Sequence, residues 1–246
     1  MLTDKDLVEF AALTRYDETG MLSRAKQKGW QASVIESSQS DCLVATNGKE
    51  NVVAFGAYKD EYSDICDFSL NDHFVKYGTS LPSCQVCDPV YTALMQIYTA
   101  ICLTLRQGNR DLPLYVTGHS TGGALALFFA MCAHSHPSHP LAFQVTRVTT
   151  FGQPAFGDKI HAQHVESILG DKYHRYQNKG DLIPYLGSYH HPRKTPTYCL
   201  DGSAQPITLS RTAKAILLLE MAIDTNPWRR DQHSVCTYVQ RIQALA

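Results

Sequence analysis

The sequence predicts a single domain, spanning residues 1–246, of the α/β class, with a central, mostly parallel sheet and helices on both faces. A chain of 246 residues is long enough for one well-buried core, and it carries no repeat or low-complexity tract. Strand-like and helix-like segments alternate from residue 89 to residue 177, a pattern typical of parallel crossovers. The pair Asn47-Gly48 between two apolar runs predicts that the sheet begins with an antiparallel hairpin.

The first elements precede the alternating region. Thr3 with Asp6 has the pattern of a capping box that opens a helix. The apolar positions of this helix share one face, and they are Leu7, Phe10, Ala11 and Leu13. We expect this helix to cover the edge of the sheet. The predicted hairpin strands are residues 42–46 and 52–55.

The alternating region supplies the parallel strands. Asp88 is the expected N-cap of its first helix, with Pro89 at the first helical position. The predicted helices are 89–105, 124–133 and 157–169, and the predicted strands are 112–117, 144–151, 172–177 and 197–200. Ser120, Gly152 and Asp181 follow the ends of these strands, where ligands gather in such sheets.

Charge and termini narrow the function classes. The 22 Lys and Arg residues nearly cancel the 23 Asp and Glu residues, so nucleic acid and an acidic membrane surface are poor candidates for the main partner. An uncharged or mildly polar substrate fits better, and no obligate protein partner is indicated. The amino terminus lacks the cationic and apolar regions of a secretory signal. We therefore expect a cytoplasmic protein or one exported without a classical signal, with a processed secreted form as the alternative.

Cysteines and histidines give no metal site. Eight cysteines are scattered along the chain, and only Cys84 and Cys87 form a CxxC pair without a second pair to complete a zinc site. Free thiols are favoured, and one or two disulfides in an exported protein are the alternative. The histidines of residues 133–140 are interrupted by prolines, which favours a solvated surface loop. No metal and no organic cofactor is expected.

Ser120 is the candidate nucleophile. It lies in the middle of the string VTGHSTGGA, between a strand-like run and a helix-like run. A serine on such a strained strand-to-helix turn needs glycines where the two backbones approach, and Gly118 and Gly122 stand at those positions. The helix that follows directs its amino end at the serine, where backbone N–H groups can hold a developing oxyanion.

A serine hydroxyl requires a base and a group that orients the base. Asp181, after a strand and before Ile183-Pro184, is the candidate orienting acid, and Asp201 is the alternative. His233 is the candidate base because it lies at the start of a final amphipathic helix. His190 and His191 fall in a proline-bounded loop and are expected to be exposed.

These residues resemble the class 3 lipases, the fungal-lipase-like branch of the α/β-hydrolases. Four motifs carry the likeness, and they are VVAFGAY with DICDF, VTGHSTGGA, TTFGQPAFGD, and NKGDLIP followed by DQHSVCTYV. Carried over, the resemblance implies an α/β-hydrolase fold with Ser120 as nucleophile, Asp181 as orienting acid and His233 as base.

Two positions depart from the family pattern. Where the family has F-R-G-S/T, with the last residue contributing to the oxyanion hole, this chain has FGAY, which places Tyr58 there. The resemblance implies backbone donors from Thr121 and Tyr58, with the Tyr58 ring crowding or crossing the acyl pocket. Asp64 replaces the lid tryptophan, which favours smaller or more polar esters than bulk triglyceride. Candidate lid or acyl-pocket residues are Tyr62, Ile65, Phe68, Leu217 and Leu218.

The sequence thus predicts a lipase- or carboxylesterase-type serine hydrolase acting on a lipid or other acyl ester. The apolar run 215–219 is interpreted as a core helix, with an acyl-pocket flap or transient membrane-surface contact as the alternative.

Two other functions are compatible with the same fold. One is a lipid-binding protein that has lost catalysis, and the other is an acyltransferase with the same triad.

Overall fold

A mostly parallel sheet with helices on both faces forms the frame of the protein, which confirms the predicted α/β class. The computed structural model describes residues 1–59, 72–77, 81–134, 143–181, 183–185, 189–200 and 231–245. The strands are β1 Gln31–Ile35, β2 Cys42–Thr46, β3 Asn51–Phe55, β4 Asp72–Val75, β5 Cys84–Cys87, β6 Leu114–His119, β7 Val145–Phe151, β8 Tyr173–Asn178 and β9 Thr197–Leu200. Seven of them form the main sheet in the order β1-β2-β3-β6-β7-β8-β9, and β4 pairs with β5 in a separate two-stranded ribbon.

The predicted hairpin is confirmed. Strands β1, β2 and β3 are antiparallel neighbours, and from β3 onward each successive pair is parallel. Gly48 adopts a φ of +79° in the turn between β2 and β3, a conformation that favours glycine. The parallel strands therefore carry their carboxyl ends to one edge of the sheet.

Helices cover both faces because side chains alternate along the strands. On β3, Val53 and Phe55 pack on one face and Val52 and Ala54 on the other. The helices are α1 Asp4–Leu13, α2 Glu18–Gln27, α3 Asp88–Gln107, α4 Thr121–His134, α5 Lys159–Ile168 and α6 Val235–Gln243. Helices α3, α4 and α5 contribute to the core of the first face, and α1, α2 and α6 to the cores of the second. Within the described part of the chain, no helix combines the length and apolar character needed to cross a membrane.

Two details of the sequence interpretation are wrong. Helix α1 does not cover the sheet edge; it packs on the central strands β6 and β7 because its apolar face joins cores beneath the middle of the sheet. Asp88 is the first residue of α3 and the N-cap is Cys87, since the extended strand β5 continues to that cysteine. The capping box of Thr3 and Asp6 at α1 is confirmed.

Asp4 anchors the start of α1 to the sheet. Its carboxylate accepts hydrogen bonds from His174 Nδ1, Thr149 Oγ1 and Tyr176 Oη at 2.8–2.9 Å. Burial alone would raise the pKa of Asp4, but the hydrogen bonds from these three residues and the charge of His174 outweigh it and lower the pKa to about 2. The charged carboxylate is therefore the form that the folded protein stabilises.

Candidate active site

Ser120 occupies a sharp turn between β6 and α4. Its φ of 57° is in the left-handed region, which costs a non-glycine residue about 1–3 kcal/mol and requires support from its surroundings. A Cβ on Gly118 would stand 2.2 Å from the carbonyl oxygen of Gly122, and a Cβ on Gly122 would stand 2.4 Å from that of Phe55. Glycine at both positions is therefore what allows the strand, the turn and the helix to approach so closely.

His233 lies between the serine and a carboxylate. Its Nε2 is 2.8 Å from Ser120 Oγ, and its Nδ1 is 2.9 Å from Asp181 Oδ2. Because an ionised carboxylate only accepts hydrogen bonds, Nδ1 carries the proton and Nε2 presents a lone pair to the serine hydroxyl. This is the tautomer that a general base for Ser120 requires.

Asp181 is fully buried, and three donors contact its carboxylate. Besides His233 Nδ1, the hydroxyl of Tyr238 donates to Oδ2 at 2.6 Å and the N–H of Ile183 donates to Oδ1 at 3.0 Å. The Tyr238 oxygen in turn accepts the N–H of Asn178 at 2.9 Å. Burial and the charge of Asp181 raise the pKa of Tyr238 well above its ordinary value, so this hydroxyl remains a donor.

Gly152 lines the contact between acid and base. It follows β7 directly and has a φ of +60°. A Cβ at this position would stand 2.8 Å from Asp181 Oδ2 and 3.1 Å from His233 Nδ1. The carboxylate and the imidazole therefore occupy the space that any larger side chain would need.

The two predicted oxyanion residues are in contact. Thr121 is the first residue of α4, and its hydroxyl accepts the backbone N–H of Tyr58 at 2.9 Å. Both residues are buried, and the Tyr58 ring belongs to the hydrophobic core on the α3–α5 face. The Tyr58 N–H is thus directed at the start of α4, beside the serine, but is engaged by a hydroxyl in this structure.

The remaining predicted residues are placed elsewhere or lie outside the described residues. Tyr62, Ile65, Phe68, Leu217 and Leu218 all lie outside them, as does the alternative acid Asp201. His191 Nε2 donates to the carbonyl oxygen of Pro184 at 2.8 Å, and His190 is exposed. Within the described ranges, no group of three or more His, Cys, Asp or Glu residues is arranged to hold a metal ion.

Sequence reasoning missed several residues that shape this site. The sequence predicts the amphipathic helix that carries Tyr238 but not the contact of Tyr238 with the acid, and it predicts Gly152 only as a residue that follows a strand. His119 donates from Nε2 to the carbonyl oxygen of His233 at 2.6 Å, and Asn178 Nδ2 donates to that of Gln232 at 2.7 Å. The motif positions of His119 and Asn178 offered a signal, but their partners are far away in sequence.

The family described as Lipase (class 3) matches residues 45–189, a range that includes Ser120 and Asp181. His233 lies beyond the matched range.

Curated relatives are similar over shorter parts of the chain. A Caenorhabditis elegans lipase, ZK262.3, is 31% identical over 146 residues, which cover 58% of this chain and 40% of the relative. A Rhizomucor miehei lipase is 33% identical over 94 residues, covering 37% of this chain and 25% of the relative. The secreted mono- and diacylglycerol lipase LIP1 of Malassezia globosa is 29% identical, covering 50% of this chain and 40% of the relative. The chain thus spans 40% or less of the length of these relatives.

Solved structures share the fold. A mutant form of MDLA from Penicillium cyclopium has a TM-score of 0.61 at 18% identity, covering 85% of this chain and 83% of that one. The Lip2 lipase of Yarrowia lipolytica has a TM-score of 0.60 at 17% identity, covering 78% and 77%. These likenesses confirm the expected α/β-hydrolase fold.

Proposed function

We propose that this chain, which belongs to the class 3 lipase family, is a serine hydrolase that cleaves lipid or other acyl esters through an acyl-enzyme. The observation that carries the proposal is the continuous hydrogen-bonded path from Ser120 Oγ through His233 to Asp181, with both distances between 2.8 and 2.9 Å. Such a path joins a nucleophile, a base and an orienting carboxylate in the geometry that ester cleavage requires.

In the proposed reaction Ser120 Oγ attacks the ester carbonyl carbon while its proton passes to His233 Nε2. The buried Asp181 carboxylate stabilises the resulting imidazolium through Nδ1. When the tetrahedral intermediate collapses, the bond to the alcohol breaks and the alcohol oxygen takes the proton from His233. Water then attacks the acyl-enzyme with His233 as base, which releases the carboxylic acid and restores Ser120.

The negative oxygen of the intermediate needs donors near the start of α4. We propose the backbone N–H of Thr121, which has no earlier helical turn to donate to, as the first donor. The N–H of Tyr58 is the second candidate, and it would have to exchange the Thr121 hydroxyl for the substrate oxygen. That hydroxyl keeps its own proton while it accepts from Tyr58, so it offers a further donor beside the nucleophile.

The proposed substrates are uncharged or mildly polar acyl esters. The near balance of 22 basic and 23 acidic residues supports this class, and Asp64 in the candidate lid favours esters smaller or more polar than bulk triglyceride. Transient contact with a lipid surface belongs to the same proposal. The printed name of the Malassezia relative suggests monoacylglycerol and diacylglycerol as the first lipids to test.

The test is a panel of p-nitrophenyl esters from acetate to palmitate, with diacylglycerol and phospholipid, assayed for the wild type and Ser120→Ala. Ser167→Ala is the matched control because the Ser167 hydroxyl donates to a helix carbonyl, that of His164, rather than to the triad. We expect Ser120→Ala to lose nearly all turnover and Ser167→Ala to keep it. Retained turnover in Ser120→Ala would contradict the proposal.

A fluorophosphonate probe distinguishes a lipid-binding protein that has lost catalysis from an enzyme, whether hydrolase or acyltransferase. A lipid-binding protein without an activated serine would not be labelled, whereas a hydrolase or an acyltransferase would be. Adding an alcohol acceptor to the ester assay then distinguishes the last two, because only an acyltransferase forms the new ester in preference to the free acid.

A further inference from the structure

We infer that His119 is a positioning residue for the proposed base, and the inference rests on the proposed function. His119 is the last residue of β6 and directly precedes Ser120. Its Nε2 lies 2.6 Å from the carbonyl oxygen of His233. Because a carbonyl oxygen only accepts hydrogen bonds, His119 carries its proton on Nε2 and donates it.

This hydrogen bond is a second connection between His233 and the turn that carries Ser120. The first connection is the reacting contact between Ser120 Oγ and His233 Nε2 at 2.8 Å. The second runs from the main chain of His233 to the side chain of the residue before Ser120. His233 therefore cannot move away from the turn at Ser120 without breaking the hydrogen bond to His119.

The segment that carries the base is held at two consecutive carbonyls. Asn178 Nδ2, at the end of β8, donates to the carbonyl oxygen of Gln232 at 2.7 Å, and His119, at the end of β6, donates to that of His233. Side chains on strand ends of the central sheet are rigid supports. The two bonds together limit the translation and rotation of the His233 main chain relative to the sheet.

His119 is suited to this place because it is neutral. Burial, and after it the neighbouring charge of His233, holds the pKa of His119 well below its ordinary value. The centroids of the two imidazole rings are 4.7 Å apart, so a charged His119 would oppose the positive charge that His233 gains from Ser120. A neutral donor holds the base without this penalty.

The test compares three substitutions at His119. Leu removes the donor, Asn is polar but too short to reach as far as Nε2, and Gln carries an amide N–H at about the reach of Nε2. We expect His119→Leu and His119→Asn to lower both kcat for p-nitrophenyl butyrate and the fluorophosphonate labelling rate roughly tenfold to hundredfold, with KM within about twofold. His119→Gln should recover most of the loss.

A matched control removes the same kind of hydrogen bond elsewhere. His164 Nε2 donates to the carbonyl oxygen of Pro82 at 2.9 Å, and His164 is buried. We expect His164→Leu to lower the melting temperature and to leave the labelling rate unchanged. A loss that came only from weaker folding would instead follow the melting temperatures of all the variants.

The outcomes separate this inference from the proposed function. Labelling of His233→Ala by the fluorophosphonate at the wild-type rate would overturn the proposed function itself. Slow labelling of His233→Ala together with equal labelling rates in His119→Leu and His164→Leu would overturn the role of His119 alone. Equal rates in His119→Gln and His119→Asn would overturn it as well, and this comparison holds even where the leucine variant does not fold.

Discussion

Gly152 is the position where one added carbon atom should test the geometry of the proposed triad. In Gly152→Ala the new Cβ would stand 2.8 Å from Asp181 Oδ2 and 3.1 Å from His233 Nδ1, short of ordinary van der Waals contact in both directions. The carboxylate of Asp181 must move by about half an ångström to relieve the 2.8 Å contact, and the imidazole of His233, which is hydrogen-bonded to that carboxylate, must move with it. Since a 1 Å misplacement costs about a hundredfold in rate, we expect kcat to fall roughly tenfold or more.

Backbone strain is a separate effect, and Gly170→Ala measures it. Gly170 has a φ of +49°, close to the +60° of Gly152, but an added Cβ there meets nothing within 4 Å. Alanine in the left-handed region costs about 1–2 kcal/mol at either position. Both variants should therefore lose about 2–8 °C in melting temperature from strain, while only Gly152→Ala loses kcat for p-nitrophenyl butyrate. A kcat for Gly152→Ala within twofold of that for Gly170→Ala would contradict the prediction that the added Cβ displaces the acid and the base.

Three further predictions follow from named contacts. Tyr238→Phe removes a donor to the buried carboxylate of Asp181 and leaves the Asn178 N–H without its acceptor. We therefore expect the free energy of unfolding, measured in urea, to fall by about 1–3 kcal/mol. Steady-state assays should show a lower kcat at a similar KM. Thr121→Val should lower kcat about a hundredfold, whereas Thr121→Ser should keep it within a few fold, because only serine retains the hydroxyl beside Tyr58. Equal kcat values for the two variants would exclude this hydroxyl from the proposed oxyanion site. The pKa of Asp4 lies near 2 in the folded protein, below its value in the unfolded chain. The charged carboxylate therefore adds about 1–2 kcal/mol to the free energy of unfolding. This contribution is present above about pH 4 and is lost as the pH falls toward 2. Urea unfolding of Asp4→Asn between pH 6 and pH 2 should lack this component, and parallel curves for mutant and wild type would contradict the assignment.

Features of the fold that depend on neighbouring residues could be predicted from the sequence. Gly118 and Gly122 around Ser120 are dictated by close backbone approach, which is visible in sequence because no other residue fits. The Asn47-Gly48 turn and the alternation of strands and helices are also local patterns. They were sufficient to predict the parallel strands and the edge of the sheet where Ser120 and Asp181 emerge. The single-domain organisation stays a prediction.

Contacts between distant segments could not be read in the same way. The hydrogen bond from His119 to His233 spans 114 residues, and that from Tyr238 to Asp181 spans 57. Helix α1 was assigned to the sheet edge because an amphipathic pattern gives the buried face of a helix but not the surface that it covers. Strand β1 and helix α2 were missed because β1 is mostly exposed or half-buried and α2 has few buried residues, so neither carries a strong apolar period.

The most direct test of the proposed catalytic triad is the site of covalent labelling by a fluorophosphonate probe, located by intact mass and peptide mapping. We expect a single adduct on Ser120 in the wild type, no adduct in Ser120→Ala, and a much slower reaction in His233→Ala. An adduct on another residue, or labelling of His233→Ala at the wild-type rate, would contradict the assignment of Ser120 as a nucleophile activated by His233.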